Sequence, residues 1–228
     1  MARRKQQKSE ETLVDLVEVK EQASDYFERN QMQVFGILAI IVVGLGGLFA
    51  YTSLYKMPRN ARAMEQMFQA QFQFERDSFA RALDNPGGGY DGFLDIIDNF
   101  GGTKAANLSS YYSGISYLHL GRYEAAREYL ETFKPAGEVT PIMKYGALGD
   151  VYSELGDMDK ALSMYEKAST VSPNDFLTPY YLKKLGLLNE QQGNTEKAHA
   201  AFTQIKENYS EMSIARDIDK YIMRVEVD

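Results

Sequence analysis

Hydrophobic and polar positions divide the chain into three regimes. Residues 11–30 read ETLVDLVEVKEQASDYFERN, with Leu13, Leu16, Val17, Ala23 and Phe27 at helical spacing and charges between them. That pattern predicts a short amphipathic helix. From Val34 to Tyr51 the polar positions vanish: VFGILAIIVVGLGGLFAY holds 18 residues without a charge or a strong hydrogen-bonding side chain. As a helix it would be about 27 Å long, close to the thickness of a hydrocarbon core. Beyond residue 56 apolar positions recur at the helical period, broken by Gly-Arg, Gly-Asp and Gly-Asn pairs, and no run alternates in the manner of paired strands. The expectation is an all-α chain with a single N-terminal transmembrane helix followed by a helical solenoid.

The borders of the apolar run support a membrane anchor at 33–54 in contact with the lipid bilayer. Glu28, Arg29, Gln31 and Gln33 stand on one side, Lys56, Arg59 and Arg62 on the other, with Tyr51 and Tyr55 suited to one interface and Tyr26 with Phe27 to the other. A cleaved signal peptide fits less well, because the run starts late and no small-x-small cleavage pattern follows it. Arg3, Arg4, Lys5, Lys8, Lys20 and Arg29 outnumber Lys56, Arg59 and Arg62 near the span, which favours a cytoplasmic N-terminus and an exported C-terminal part. Gly36, Gly46 and Ala50, with Gly44 and Gly47, leave a shallow strip where another helix could approach. Such glycines are also common in spans that dock nothing.

The region after residue 105 repeats itself. Turn glycines Gly121, Gly156 and Gly193 lie at intervals of 35 and 37 residues. Seven residues before each is Gly114, Gly149 or Gly186; five after each is Ala126, Ala161 or Ala198; four further on is Leu130, Tyr165 or Phe202. Small residues at fixed places let two antiparallel helices cross closely, and the large residue one turn on fills the core. Thr140-Pro141 and Thr178-Pro179 are expected as helix N-cap and first-turn residues. Residues 60–84 and 90–100 are expected to form a leading pair around an Asn85–Gly89 turn. Met64, Met67, Phe68, Phe72 and Phe79 would form the apolar face of one helix, and Phe93, Ile96, Ile97 and Phe100 that of the other.

GISYLHLGRYEAAREYL, GDVYSELGDMDKALSMYEKASTVSP and, more loosely, GLLNEQQGNTEKAHAAF resemble tetratricopeptide repeats over about residues 106–210. The resulting layout is a cytoplasmic tail at 1–32, the anchor at 33–54, a leading helix pair at 55–105, three repeats at 106–210 and a capping helix at 211–228. This layout, with FGGTKAANLSSYYSGISYLHLG closing the leading pair, resembles the YfgM-like ancillary subunits of the bacterial Sec translocon. The resemblance implies a periplasmic repeat domain on an inner-membrane anchor. It also implies Sec translocon subunits, a PpiD-type membrane-anchored chaperone and nascent secreted polypeptides as partners.

Composition narrows the chemistry. The chain has no Cys and two His, His119 and His199, which leaves little for a thiolate, nucleophilic or His-based site; no cofactor and no enzyme activity are expected. Residues 57–228 carry 18 Lys/Arg against 25 Asp/Glu, which accounts for the net charge of −7. An acidic domain repels phosphate backbones, so nucleic acid is not an expected partner. Gly87, Gly89 and Gly92 match a dinucleotide fingerprint only by spacing, since helices flank them on both sides. Asp91, Asp95 and Asp98 read as the wet face of a helix rather than a cation site.

The leading helices of the repeats carry the candidate partner-binding residues. These are Leu108, Tyr111, Ile115, Leu118 and His119 in the first repeat. The second offers Met143, Asp150 and Glu154, beside Gly146 and Ser153, and the third Tyr180, Lys183, Leu187 and Glu190, beside Gln191. Aromatic and Met side chains bury area at little entropic cost, which suits a peptide groove. Tyr111 and Ile115 could equally pack on the preceding helix pair. A carboxylate clamp of the kind some tetratricopeptide proteins use is missing: only Lys183 would serve, and Leu187 stands where that clamp wants Asn.

Overall fold

A computed structural model describes residues 28–226; the amphipathic helix expected at 11–30 falls almost wholly outside them. The described residues contain helices and turns and no strand. The chain divides into two compact units that meet at Pro58 and Arg59.

The first unit contains α1 (Gln31–Ala50), which buries none of its residues. Ile40 and Val43 are each 74% exposed. Apolar on every side, the helix is long and apolar enough to cross a membrane. Along the strip formed by Gly36, Gly44, Gly46 and Gly47, no atom of the described residues lies within 4 Å of where a Cβ would stand. After α1 the backbone widens into a π-helical turn, Tyr51–Lys56, in which the Met57 N–H reaches back to the Thr52 carbonyl. The cause lies just beyond it: Pro58 has no N–H to give and its ring crowds the carbonyl four residues back, which a wider turn relieves.

The second unit opens within α2 (Met57–Glu75) and continues through α3 (Phe79–Asp84) and α4 (Phe93–Asn99). Three antiparallel pairs follow: α5 (Lys104–His119) with α6 (Tyr123–Thr132), α7 (Val139–Glu154) with α8 (Met158–Thr170), and α9 (Leu177–Gln191) with α10 (Thr195–Asn208). A single 3₁₀ turn (Ser213–Ala215) and a short helix, α11 (Ile218–Arg224), close the stack. The last segment is thus shorter and more broken than the one capping helix expected at 211–228. Its buried Ile218 and Val225 cover Leu182, Phe202 and Ile205.

Each pair turns in the same way. Gly121, Gly156 and Gly193 have φ of 71°, 80° and 75°. Each donates its N–H to the carbonyl three back, while the next residue reaches the carbonyl five back, as in Arg122 to Tyr117 at 2.9 Å. This is the Schellman closure, which satisfies carbonyls left over at a helix end and needs a left-handed residue. Within the pairs the glycine of the first helix faces the large residue of the second more directly than it faces the alanine. A Cβ on Gly149 would stand 2.5 Å from the Tyr165 ring, and one on Gly114 would stand 2.5 Å from Leu130. Ala126, Ala161 and Ala198 are fully buried beside these contacts.

The leading region departs from the sequence expectation. The helix expected over 60–84 breaks after Glu75, because Asp77 adopts φ 56° and Ser78 donates to the Gln73 carbonyl at 2.9 Å. That is the same closure with aspartate in the glycine's place. The core face of α2 is Ala63, Met67, Ala70 and Phe74, packed on Phe93, Ile96 and Ala105. Met64, Phe68 and Phe72, expected in the core, are 43%, 64% and 41% exposed. The helix has two apolar faces, and the one richer in alanine allows the closer approach and wins the interior. Arg59 ties α2 to the end of α4 by donating to the carbonyls of Asn99 and Gly101 at 3.0 and 2.9 Å. Because a left-handed aspartate costs about 1–2 kcal/mol, Asp77→Gly is expected to stabilise the full-length chain. A denaturation midpoint that does not rise would show that the Asp77 side chain compensates for its backbone.

Thr140 and Thr178 are not the capping residues; the N-caps lie two positions earlier, at Glu138 and Phe176. The Thr140 hydroxyl instead accepts the Ala136 N–H at 2.7 Å, and Thr178 accepts that of Asn174 at 3.2 Å. Asn174 Oδ1 satisfies the Phe176 and Leu177 N–H groups at 3.1 and 2.8 Å. Pro141 and Pro179 sit in first turns, where an N–H is not needed.

Candidate functional site

Residues on α7, α8 and α9 converge. At the centre is Asp150 on α7. Its Oδ1 accepts the Tyr165 hydroxyl at 2.6 Å and the Lys184 ammonium at 2.5 Å. The Lys184 Nζ lies 5.1 Å from the centre of the Tyr180 ring and 5.7 Å from that of Tyr165. Tyr181 stacks on Tyr165 with centroids 6.4 Å apart and meets Tyr180 edge-on at 5.0 Å. Gly146 makes room for this, since any Cβ there would overlap the Tyr181 ring. Two successive repeats therefore share one half-buried carboxylate, one ammonium and a wall of phenol rings.

The electrostatics follow from that arrangement. Burial works against the Lys184 ammonium, but the hydrogen bond and charge of Asp150 outweigh it and hold its pKa above the usual value. Burial, then the neighbouring Asp150, raises the phenols of Tyr165 and Tyr181. Burial also pushes Tyr111 up to about 12, with Tyr112 and Asp150 adding to it. All three phenols stay neutral at physiological pH and keep their hydroxyls as donors.

The residues expected from the sequence distribute unevenly around this centre. Asp150 and Tyr180 are in it, and Tyr111 lies within reach of the Asp150 charge. Tyr111, Ile115 and Leu118 pack against the core shared by the repeats, with Tyr111 5.3 Å from Phe133. Leu108 and Tyr112 are the residues that pack on the leading helices. His119 stacks on Phe79 at 4.4 Å, 3° from parallel. Met143 is partly exposed, Leu187 exposed, and Glu154 bonds the Tyr123 hydroxyl. Lys183 and Glu190 turn towards the C-terminal helix: Lys183 lies 4.6 Å over the Tyr221 ring and Glu190 pairs with Arg224 at 2.5 Å. Gly36, Gly46 and Ala50 belong to the first unit and face no protein among the described residues.

Sequence reasoning missed Lys184 and Tyr181 and treated Tyr165 only as core filling. One signal for Lys184 was present: it stands four residues after Tyr180, the spacing at which helical side chains meet. Among the described residues no three His, Asp or Glu side chains gather to hold a metal ion.

Stacked antiparallel pairs sharing one face of aromatic and charged side chains define a helical-repeat scaffold of the protein-binding kind. The comparisons agree. Tetratricopeptide repeat models match residues 140–211 and 109–134. The TPR repeat-containing protein MJ1428 of Methanocaldococcus jannaschii is 27% identical over 113 residues, which is 50% of this chain and 19% of that protein. The chain thus spans a small part of this relative's length. A crystal structure of nearly identical TPR-like repeats from Podosopora anserina superposes with a TM-score of 0.56 at 14% identity, covering 73% of this chain and 85% of that one. At that identity the likeness establishes the fold, an all-helical tetratricopeptide-repeat solenoid.

Proposed function

We propose that this chain is a non-enzymatic, membrane-tethered scaffold whose repeat face docks other proteins. One observation carries the reading: an apolar helix that buries none of its residues and a repeat stack converging on Asp150 occur in the same chain. The first has no use in water, and the second is a surface with charged and aromatic groups already held in place. The Lys/Arg balance across α1 supports an N-terminus in the cytoplasm and a periplasmic repeat domain, in an inner membrane. The likeness of the layout to YfgM-like proteins supports a more specific role: an accessory of the Sec translocon that presents its repeats to a PpiD-type chaperone or to emerging secreted polypeptides.

The test is capture in place. A photo-crosslinking residue at Tyr180, followed by purification in mild detergent, should recover translocon subunits together with a membrane-anchored chaperone. Recovery of a machine for outer-membrane insertion or surface secretion instead would keep the scaffold and change its assembly. Protease added to spheroplasts should digest residues 57–228; protection of that region would reverse the topology.

A further inference from the structure

We infer that the Asp150 centre is a receptor for a basic side chain, arginine or lysine, carried by an extended peptide segment. This rests on the reading of the repeat face as the docking surface. One cation occupies the centre already. Lys184 supplies an ammonium that is bonded to the carboxylate at 2.5 Å and lies against two phenol rings, at 5.1 and 5.7 Å. Those are the contacts by which aromatic walls and a carboxylate hold a cation. The protein therefore displays, with its own side chain, the chemistry the site recognises.

The centre is also not saturated. Both bonds fall on Oδ1 of Asp150, and Oδ2 has no hydrogen-bond partner among the described residues. The Asp150 and Lys184 side chains are 30% and 28% exposed, so an incoming group can reach them. The Tyr180 ring is 44% exposed and can bear on a guanidinium plane or a methylene stem. The repeat-bearing part of the chain is acidic, with 18 Lys/Arg against 25 Asp/Glu over residues 57–228. Its field adds to the attraction for a basic segment and disfavours an acidic one. Lys184 is then a resident competitor: it neutralises the carboxylate while the face is empty and yields to, or shares with, a stronger donor.

The experiment uses the full chain in detergent micelles and three blocked peptides of one extended, apolar sequence. They differ only at a central position, which is Arg, norleucine or Glu; blocking removes the terminal charges. The Arg peptide is expected to bind about tenfold more tightly than the norleucine peptide, with the Glu peptide weakest. Asp150→Asn should erase that preference. Lys184→Gln should strengthen binding of the Arg peptide severalfold, a gain that a misfolded variant cannot produce. Tighter binding of the Glu peptide, or its loss in Lys184→Gln, would make Lys184 an anion receptor and overturn the inference. An Arg preference that survives in Asp150→Asn would overturn it too. Equal binding of all three peptides would sink the inference and leave the docking face standing, whereas no binding by any of them would remove both.

Discussion

Gly149→Ala is expected to destabilise the protein by about 1–3 kcal/mol, although alanine is the better helix former. Two effects of opposite sign meet at this position. In an exposed helix interior the change would stabilise by up to about 1 kcal/mol, because glycine loses more backbone freedom on folding. Here the added methyl would stand 2.5 Å from two atoms of the Tyr165 ring. Tyr165 cannot simply swing away, since its hydroxyl is bonded to Asp150 at 2.6 Å and its ring stacks on Tyr181. The clash therefore moves either a buried ring or two helices, and overpacking wins over propensity. Gly149→Leu should be worse. Chemical denaturation of the full chain would read the change directly, and a thermal midpoint should fall by on the order of 5 °C. An unchanged or higher midpoint would mean that the close crossing of α7 and α8 is not set by this glycine. The same change at Gly114 meets Leu130, a more adaptable side chain, and should cost less.

The second large effect is expected in α1. Membranes from cells expressing the chain should retain it through an alkaline carbonate wash. The double change Ile40→Arg with Val43→Arg should release it. Eleven Val, Ile, Leu and Phe residues lie between Val34 and Tyr51, and at the helix centre each favours insertion by about 0.3–0.6 kcal/mol, roughly 3–7 kcal/mol together. One central arginine costs about 2.5–3.5 kcal/mol on the same scale. A single Val43→Arg thus brings the balance close to even and should give partial retention, whereas two arginines reverse it. Full retention of the double variant would show that other parts of the chain, or a partner, hold it in place, and the reading of α1 as the anchor would fall.

What the sequence disclosed and what it hid have a common physical cause. The three turns at Gly121, Gly156 and Gly193 were legible because only glycine adopts the required backbone shape without strain. The fourth turn was hidden because Asp77 adopts it at a cost. With Asp77 aligned on those glycines, Ala70 and Ala82 fall on the Gly and Ala positions of the repeats, and buried Pro86 falls where Leu130, Tyr165 and Phe202 stand. The interval from Asp77 to Gly121 is 44 residues rather than 35 or 37, and the loop over 85–92 accounts for most of the excess. The leading region thus shares the turn and the small-residue spacing of the repeats, with two short helices, α3 and α4, after the turn.

Which face of α2 is core was not legible, because both faces are apolar and only packing against Phe93 and Ile96 decides between them. Two residues of the Asp150 centre, Asp150 and Tyr180, were among the positions read from the sequence, whereas Lys184 and Tyr181 were not. Lys183 and Lys184 are adjacent in sequence, yet one step of 100° along a helix sends one to Tyr221 and the other to Asp150. Periodicity read from loose repeats does not fix a register that finely.

The loop between α3 and α4 has a practical consequence. It is fastened at both ends to α2, with the Pro86 carbonyl accepting from Gln73 at 2.9 Å and the Asp91 N–H donating to Gln66 at 3.3 Å. Between those points Gly87, Gly88 and Gly89 all have positive φ, and space around Gly87 and Gly89 is empty. Gly92 is the opposite case, since a side chain there would drive into the Leu83 carbonyl. An epitope, a fluorophore or a cleavage sequence spliced between Gly88 and Gly89 would lengthen a tip that is already clamped at its base. That position is a handle for reporting on the folded protein in its native setting, away from the Asp150 centre whose ligand such a reporter would help to identify.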